Sequence, residues 1–122
     1  MSKLKIYLCI PTEGKTNIQL SDDINAETIR LDDMFSEYEH EIVIQLNPDK
    51  RIETLTNCDV CALADGWQYV NRCRLEQKFA VSIGKPIVNT DAEYTKKFIR
   101  DYIISKCKNY LQNIPYNEKE DI

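Results

Sequence analysis

The sequence predicts an α/β protein: a three-layer α/β/α sandwich around a four- or five-stranded parallel sheet, Rossmann- or flavodoxin-like. Two observations carry that prediction. The short runs at 5–10, 41–46, 58–64 and 87–89 are mostly apolar instead of alternating, as strands covered on both faces are. Between them lie segments whose apolar residues recur at three- and four-residue spacing, so that strands and helices alternate along the chain and right-handed crossovers join parallel strands.

The elements follow in order. Lys5-Ile6-Tyr7-Leu8-Cys9-Ile10 is the first strand, closed by Pro11 and a loop running through Gly14 to about Leu20. Ser21, with Asp22 and Asp23 behind it, is the expected start of a helix that buries Ile24, Thr28, Leu31, Phe35 and Tyr38 and ends near Glu39-His40. Glu41 to Leu46 is the second strand, stopped by Asn47-Pro48-Asp49, and Ile52 with Leu55 suggests a short helical turn. The third strand is Cys58 to Ala64, which leaves through Asp65-Gly66. From Val70 a helix carries Cys73, Phe79, Ala80 and Ile83 on its apolar side until Gly84-Lys85-Pro86 ends it, and Ile87-Val88-Asn89 is a fourth, short strand. Thr90-x-x-Glu93 reads as a capping box opening a last helix, with Phe98, Ile99, Tyr102, Ile103, Cys107, Tyr110 and Leu111 facing inward. One domain is expected over residues 1–112, followed by a polar, acidic tail at 113–122.

Composition narrows the function. Lys plus Arg number 16 against 20 Asp plus Glu, a net charge of −4 with a pI near 5.0. That balance argues against a nucleic acid polymer or an anionic membrane as partner. The apolar runs are too short to span a bilayer and the start has no secretory pattern, so a cytoplasmic protein is expected. Five cysteines spread through apolar runs suggest reduced core residues. Cys58-x-x-Cys61 lies in a strand run without a second such pair, which favours packing over metal binding, and no metal site is expected. Cys73, near a helix start, is the thiol most open to a thiolate reading. With three glycines and neither a P-loop nor a Gly-x-Gly-x-x-Gly, the chain lacks the usual phosphate cradle, and no organic cofactor is expected.

Chemistry concentrates between Cys58 and Glu76. Glu76 falls on the apolar stripe of its helix, between Cys73 and Ala80. It either sits at the edge of the stripe and pairs with Arg72, or points into a pocket at the carboxyl end of the sheet, where open α/β folds bind ligands. Asn71, Arg72 and Arg74 form either a phosphate-binding cluster or a solvated helix face.

Three pieces together resemble the nucleoside 2-deoxyribosyltransferase-like superfamily, in particular its DUF4406 branch, over residues 4–90. They are Lys5-Ile6-Tyr7-Leu8 with Pro11, then Leu46-Asn47-Pro48, then Cys58-Asp59 through Gly66-Trp67 with Glu76 nine residues later. The resemblance implies a reaction at the N-glycosidic bond of a nucleoside or nucleotide, by hydrolysis or deoxyribosyl transfer, without cofactor. It makes Glu76 the nucleophile on the anomeric carbon and Tyr7 the residue that orients it. Asp65 would handle the proton at the leaving base, or serve as a turn residue with Gly66. Pro11, Asn47, Asp59, Gly66 and Trp67 would line the substrate site, Trp67 stacking on a base, closing the pocket or packing in the core. A homodimer or higher homo-oligomer is implied as well. The chain departs from the pattern at Arg72, where a glycine is usual, in the first loop, Cys9-Ile10-Pro11-Thr12-Glu13, and at Arg51, where an acidic residue is expected. Those departures motivate the alternative of a module that binds a nucleotide-like molecule without turnover; the acidic tail and the long last helix suggest a protein interaction scaffold as a third reading. The discriminating feature is whether the Arg72 side chain fills the space beside Glu76.

Overall fold

The computed structural model describes residues 3–90. The predicted last helix and the polar tail lie outside that range. Four strands, β1 (Leu4–Cys9), β2 (His40–Val43), β3 (Val60–Leu63) and β4 (Ile87–Asn89), form an all-parallel sheet in the order β2-β1-β3-β4. Three helices connect them: α1 (Asn17–Met34), α2 (Arg51–Thr56) and α3 (Asn71–Ser82).

Alternate residues of β1 and β3 feed two cores. Leu4, Ile6, Leu8 and Ile10 of the first strand segment, with Val60, Ala62 and Ala64, meet Leu31 and Phe35 of α1 on one face. Tyr7 and Cys9, with Cys61 and Leu63, meet Leu55 of α2 and Cys73 and Ala80 of α3 on the other. Helices therefore cover both faces, and the α/β sandwich predicted from the apolar strand runs is the observed fold. β3 is buried along its whole length, as its unbroken apolar sequence requires.

Element ends differ from the sequence reading in identifiable ways. Helix α1 starts four residues early, because Thr16 and Gln19 form a reciprocal capping box: the Thr16 hydroxyl accepts from the Gln19 amide at 3.1 Å, and the Gln19 side chain accepts from the Thr16 amide at 2.9 Å. Ser21 is thus helical interior, not the cap. The same helix ends at Met34 instead of near His40, and it buries Glu27 where the stripe named Thr28. Strand β2 is shorter than predicted: Ile44 and Leu46 lie beyond it and are exposed. In α2 it is Arg51 and Leu55 that face inward, and Ile52 is exposed. Ile83 is likewise exposed at the end of α3. Among the described residues no helix is long and apolar enough to cross a membrane.

From β1 the chain goes out to β2, then returns past β1 to β3 and on to β4, so its direction across the sheet reverses between β1 and β3. The crevice at the carboxyl ends of those two strands is where such sheets accommodate ligands.

Candidate functional site

Two groups of polar side chains meet at this carboxyl edge, one on each face of the sheet. On the α2–α3 face Tyr7, Arg51 and Glu76 form a closed cluster. Tyr7 arrives from β1, Glu76 from the second turn of α3, and Arg51 from the start of α2. Arg51 is delivered by a single 3-10 turn, Pro48–Lys50, whose start is held by Asn47, its side chain accepting from the Asp49 amide at 3.0 Å. The Tyr7 hydroxyl donates to Glu76 Oε1 at 2.9 Å and accepts from Arg51 Nε at 2.9 Å. Arg51 Nη2 also donates to Glu76 Oε1 at 2.9 Å and to the Ile10 carbonyl at 3.3 Å. Glu76 Oε2 lies 2.8 Å from Arg51 Nε, but that N–H is directed to Tyr7, so Oε2 is in ion contact without a hydrogen bond.

Tyr7, Arg51 and Glu76 are each no more than 1 % exposed. Burial pushes the Tyr7 hydroxyl well above its ordinary value, against the pull of the Arg51 guanidinium, so the hydroxyl keeps its proton and remains a donor to Glu76. Two charges taken out of water are tolerable only when each is matched, and here a bidentate-capable guanidinium does the matching.

On the α1 face a cavity of about 210 Å³ opens between the loops after β1 and β3. Glu27 is its buried polar group, only 4 % exposed. Its Oε1 accepts from the Thr90 hydroxyl, and its Oε2 accepts from Arg30 Nη1 at 2.9 Å and from the Asp65 amide at 3.3 Å. Lys15 and Asp23, paired with each other, also line the cavity, with Asp65. Gly66 turns the chain out of β3 with φ of +85°, a left-handed conformation that side chains other than glycine rarely adopt. Pro11 is buried beside that turn.

The predicted site residues therefore separate. Glu76 and Tyr7 are joined, and Glu76 pairs with Arg51, not with Arg72. Arg72 reaches the Pro48 carbonyl at 3.4 Å. Arg74 donates to the Gln68 carbonyl at 2.8 Å and to the Asn71 side chain, at the exposed start of its own helix. Asn71, Arg72 and Arg74 thus make local surface contacts and do not converge on Glu76. Asp59 is at the opposite, amino edge of the sheet, accepting from the Lys5 amide at 2.8 Å. Trp67 is half-buried against the Tyr7 core, and Asp65 is exposed at the cavity. Asn47 acts through the turn that delivers Arg51. Sequence reasoning missed two residues, Glu27 and Arg51. Glu27 lies three residues after Ile24 and four before Leu31, on the α1 stripe, and that spacing was the available signal.

Cys9, Cys58, Cys61 and Cys73 are buried and unbridged. The thiolate reading of Cys73 gains no support: the neighbouring Cys9 thiol and burial both raise its pKa, and Cys58 is pushed up to about 11 by burial. Among the described residues no cluster of three or more His, Cys, Asp or Glu side chains is placed to hold a metal ion.

Fold and site together define a parallel α/β protein with an arginine-neutralised glutamate under the carboxyl edge of its sheet and a small polar cavity beside it. Comparison with protein-family models, with curated proteins and with solved structures found no match for this chain.

Proposed function

We propose that the chain binds a nucleoside- or nucleotide-like small molecule at the crevice between β1 and β3 and does not cleave it. The observation that carries this reading is the engagement of both Glu76 oxygens by Arg51, in a side chain 1 % exposed. Attack on an anomeric carbon needs a carboxylate oxygen free to approach to about 3–3.5 Å. Oε1 already accepts from two donors and Oε2 rests against the guanidinium, so neither oxygen has an open path. The discriminating side chain is Arg51 in place of Arg72, at the position where the resemblance expects an acid. Support for the ligand class comes from the resemblance over residues 4–90 and from the crevice at the reversal point of the sheet.

One observation favours the other reading, an N-glycoside hydrolase or deoxyribosyltransferase with Glu76 as nucleophile. The Tyr7–Glu76 hydrogen bond, 2.9 Å, is the orienting contact that the resemblance asks for. That mechanism requires Arg51 to leave Glu76 when substrate enters. Calorimetric titration of the full chain with a panel of nucleosides and nucleoside 5′-monophosphates tests the proposal. Saturable binding of at least one member is expected, and absence of binding across the panel overturns it.

A further inference from the structure

The α1-face cavity contains a buried carboxylate that none of the chemistry above uses. Glu27 is rigidly placed by three donors: the Thr90 hydroxyl, Arg30 and the Asp65 amide. An ionised carboxylate offers about four acceptor positions, so about one stays open. A buried helical glutamate that lines a cavity and has an acceptor position to spare is set up to receive a donor from a ligand.

The charges around it select the kind of donor. Lys15 is matched by Asp23 and Arg30 by Glu27, which leaves Asp65 as the cavity-lining charge without a partner among the described residues. The site is thus rich in acceptors without being strongly anionic, which suits neutral hydroxyl donors better than a cation. In dinucleotide-binding sheets of this kind a carboxylate at the same edge accepts a hydrogen bond from a ribose hydroxyl. The volume, about 210 Å³, is below the about 300 Å³ at which pockets for drug-sized ligands begin, so one small ring enters and the rest of the ligand remains outside.

We propose that the cavity lined by Glu27 and Asp65 takes the ribose ring of the ligand, Glu27 and Asp65 accepting hydrogen bonds from its 2′- and 3′-hydroxyls, and that it selects ribo- over deoxyribonucleosides. This inference rests on the binding reading above. It places the sugar on the α1 face, on the opposite side of the sheet from Glu76, which gives a separate reason why Glu76 does not reach an anomeric carbon.

The test is calorimetric titration with adenosine, guanosine, cytidine and uridine and their 2′-deoxy counterparts, on the full chain and on the Glu27→Gln and Asp65→Asn variants. The wild-type chain is expected to prefer ribonucleosides by about ten- to a hundredfold, the range of a hydrogen bond to a charged group, and each variant to lose most of that preference. Asp65 is exposed, so Asp65→Asn decides the matter if Glu27→Gln, deprived of its ion pair with Arg30, does not fold. Equal affinity for ribo- and deoxyribonucleosides, or a preference untouched by Asp65→Asn, overturns the ribose assignment while leaving the binding reading intact. Tighter binding of n-propylamine than of any ribonucleoside overturns it in favour of an ammonium site. Failure of the wild-type chain to bind any nucleoside overturns the ribose assignment, and failure with the nucleoside 5′-monophosphates as well removes the binding reading too.

Discussion

Arg51 and Glu76 depend on each other, and that dependence separates the two readings of Glu76. In a buried ion pair, removing one partner strands the other charge in a site without water, at a cost of about 3–5 kcal/mol. A carboxylate kept for chemistry at the expense of stability behaves oppositely, and its neutral isostere stabilises the fold. Glu76→Gln and Arg51→Met are each expected to destabilise by about 3–5 kcal/mol, whereas the double variant Arg51→Met/Glu76→Leu recovers most of that loss. Urea unfolding of the three variants measures it, and a Glu76→Gln protein more stable than wild type would contradict the account. Glu76 was legible because a charge on an apolar stripe stands out. Tyr7 was legible as its partner through the resemblance alone, since a tyrosine in a strand otherwise reads as core. Arg51 was not legible: it follows Pro48-Asp49-Lys50, and an arginine after such a run reads as surface until β1 and α3 supply its partners.

Among the elements, α1 shows most clearly what decides a boundary. Its apolar periodicity begins at Ile24, but its hydrogen-bonded start is set seven residues upstream of that by the Thr16–Gln19 capping box. Thr16→Ala is expected to cost about 1 kcal/mol, while Ser21→Ala, at the position that the acidic pair Asp22-Asp23 marks as a cap, stays within about 0.5 kcal/mol of wild type. Denaturant midpoints of the two variants give the comparison, and the reverse order would place the start of the helix at Ser21. The strands were legible because burial on both faces demands a mostly apolar sequence, which β3 satisfies throughout and β1 everywhere but the exposed Lys5, while β4 buries Val88 alone. β2 was overextended because Ile44 and Leu46 continue the apolar pattern after pairing with β1 has ended at Val43.

At the level of the whole molecule, the buried hydroxyl and thiols set the response to alkali. Cys58, raised by burial to about 11 from its ordinary 9.0, and Tyr7, raised above its ordinary 10.0, keep their protons in the folded chain after the unfolded chain has lost them. The unfolded state then binds fewer protons, so stability is complete below about pH 9 and falls as pH rises beyond it. The urea midpoint is expected to drop between about pH 9 and about pH 11, and a midpoint that is constant or rising over that interval would contradict the buried state of these groups. The fold class as a whole was legible because alternation of strand and helix leaves few ways to bury both faces of a sheet. The two-sided arrangement of the site was not, because which face a polar residue serves depends on strand order, and the order β2-β1-β3-β4 comes from the packing of all the elements together.

The claim on which the rest depends is that Arg51 withholds Glu76 from chemistry. The most direct measurement is a chromatographic time course of free base from a nucleoside that calorimetry shows to be bound, with the full chain at saturating ligand. Base formation indistinguishable from the protein-free control is the expected result. Base release that requires the chain and disappears in Glu76→Gln would contradict the account and establish Glu76 as the nucleophile.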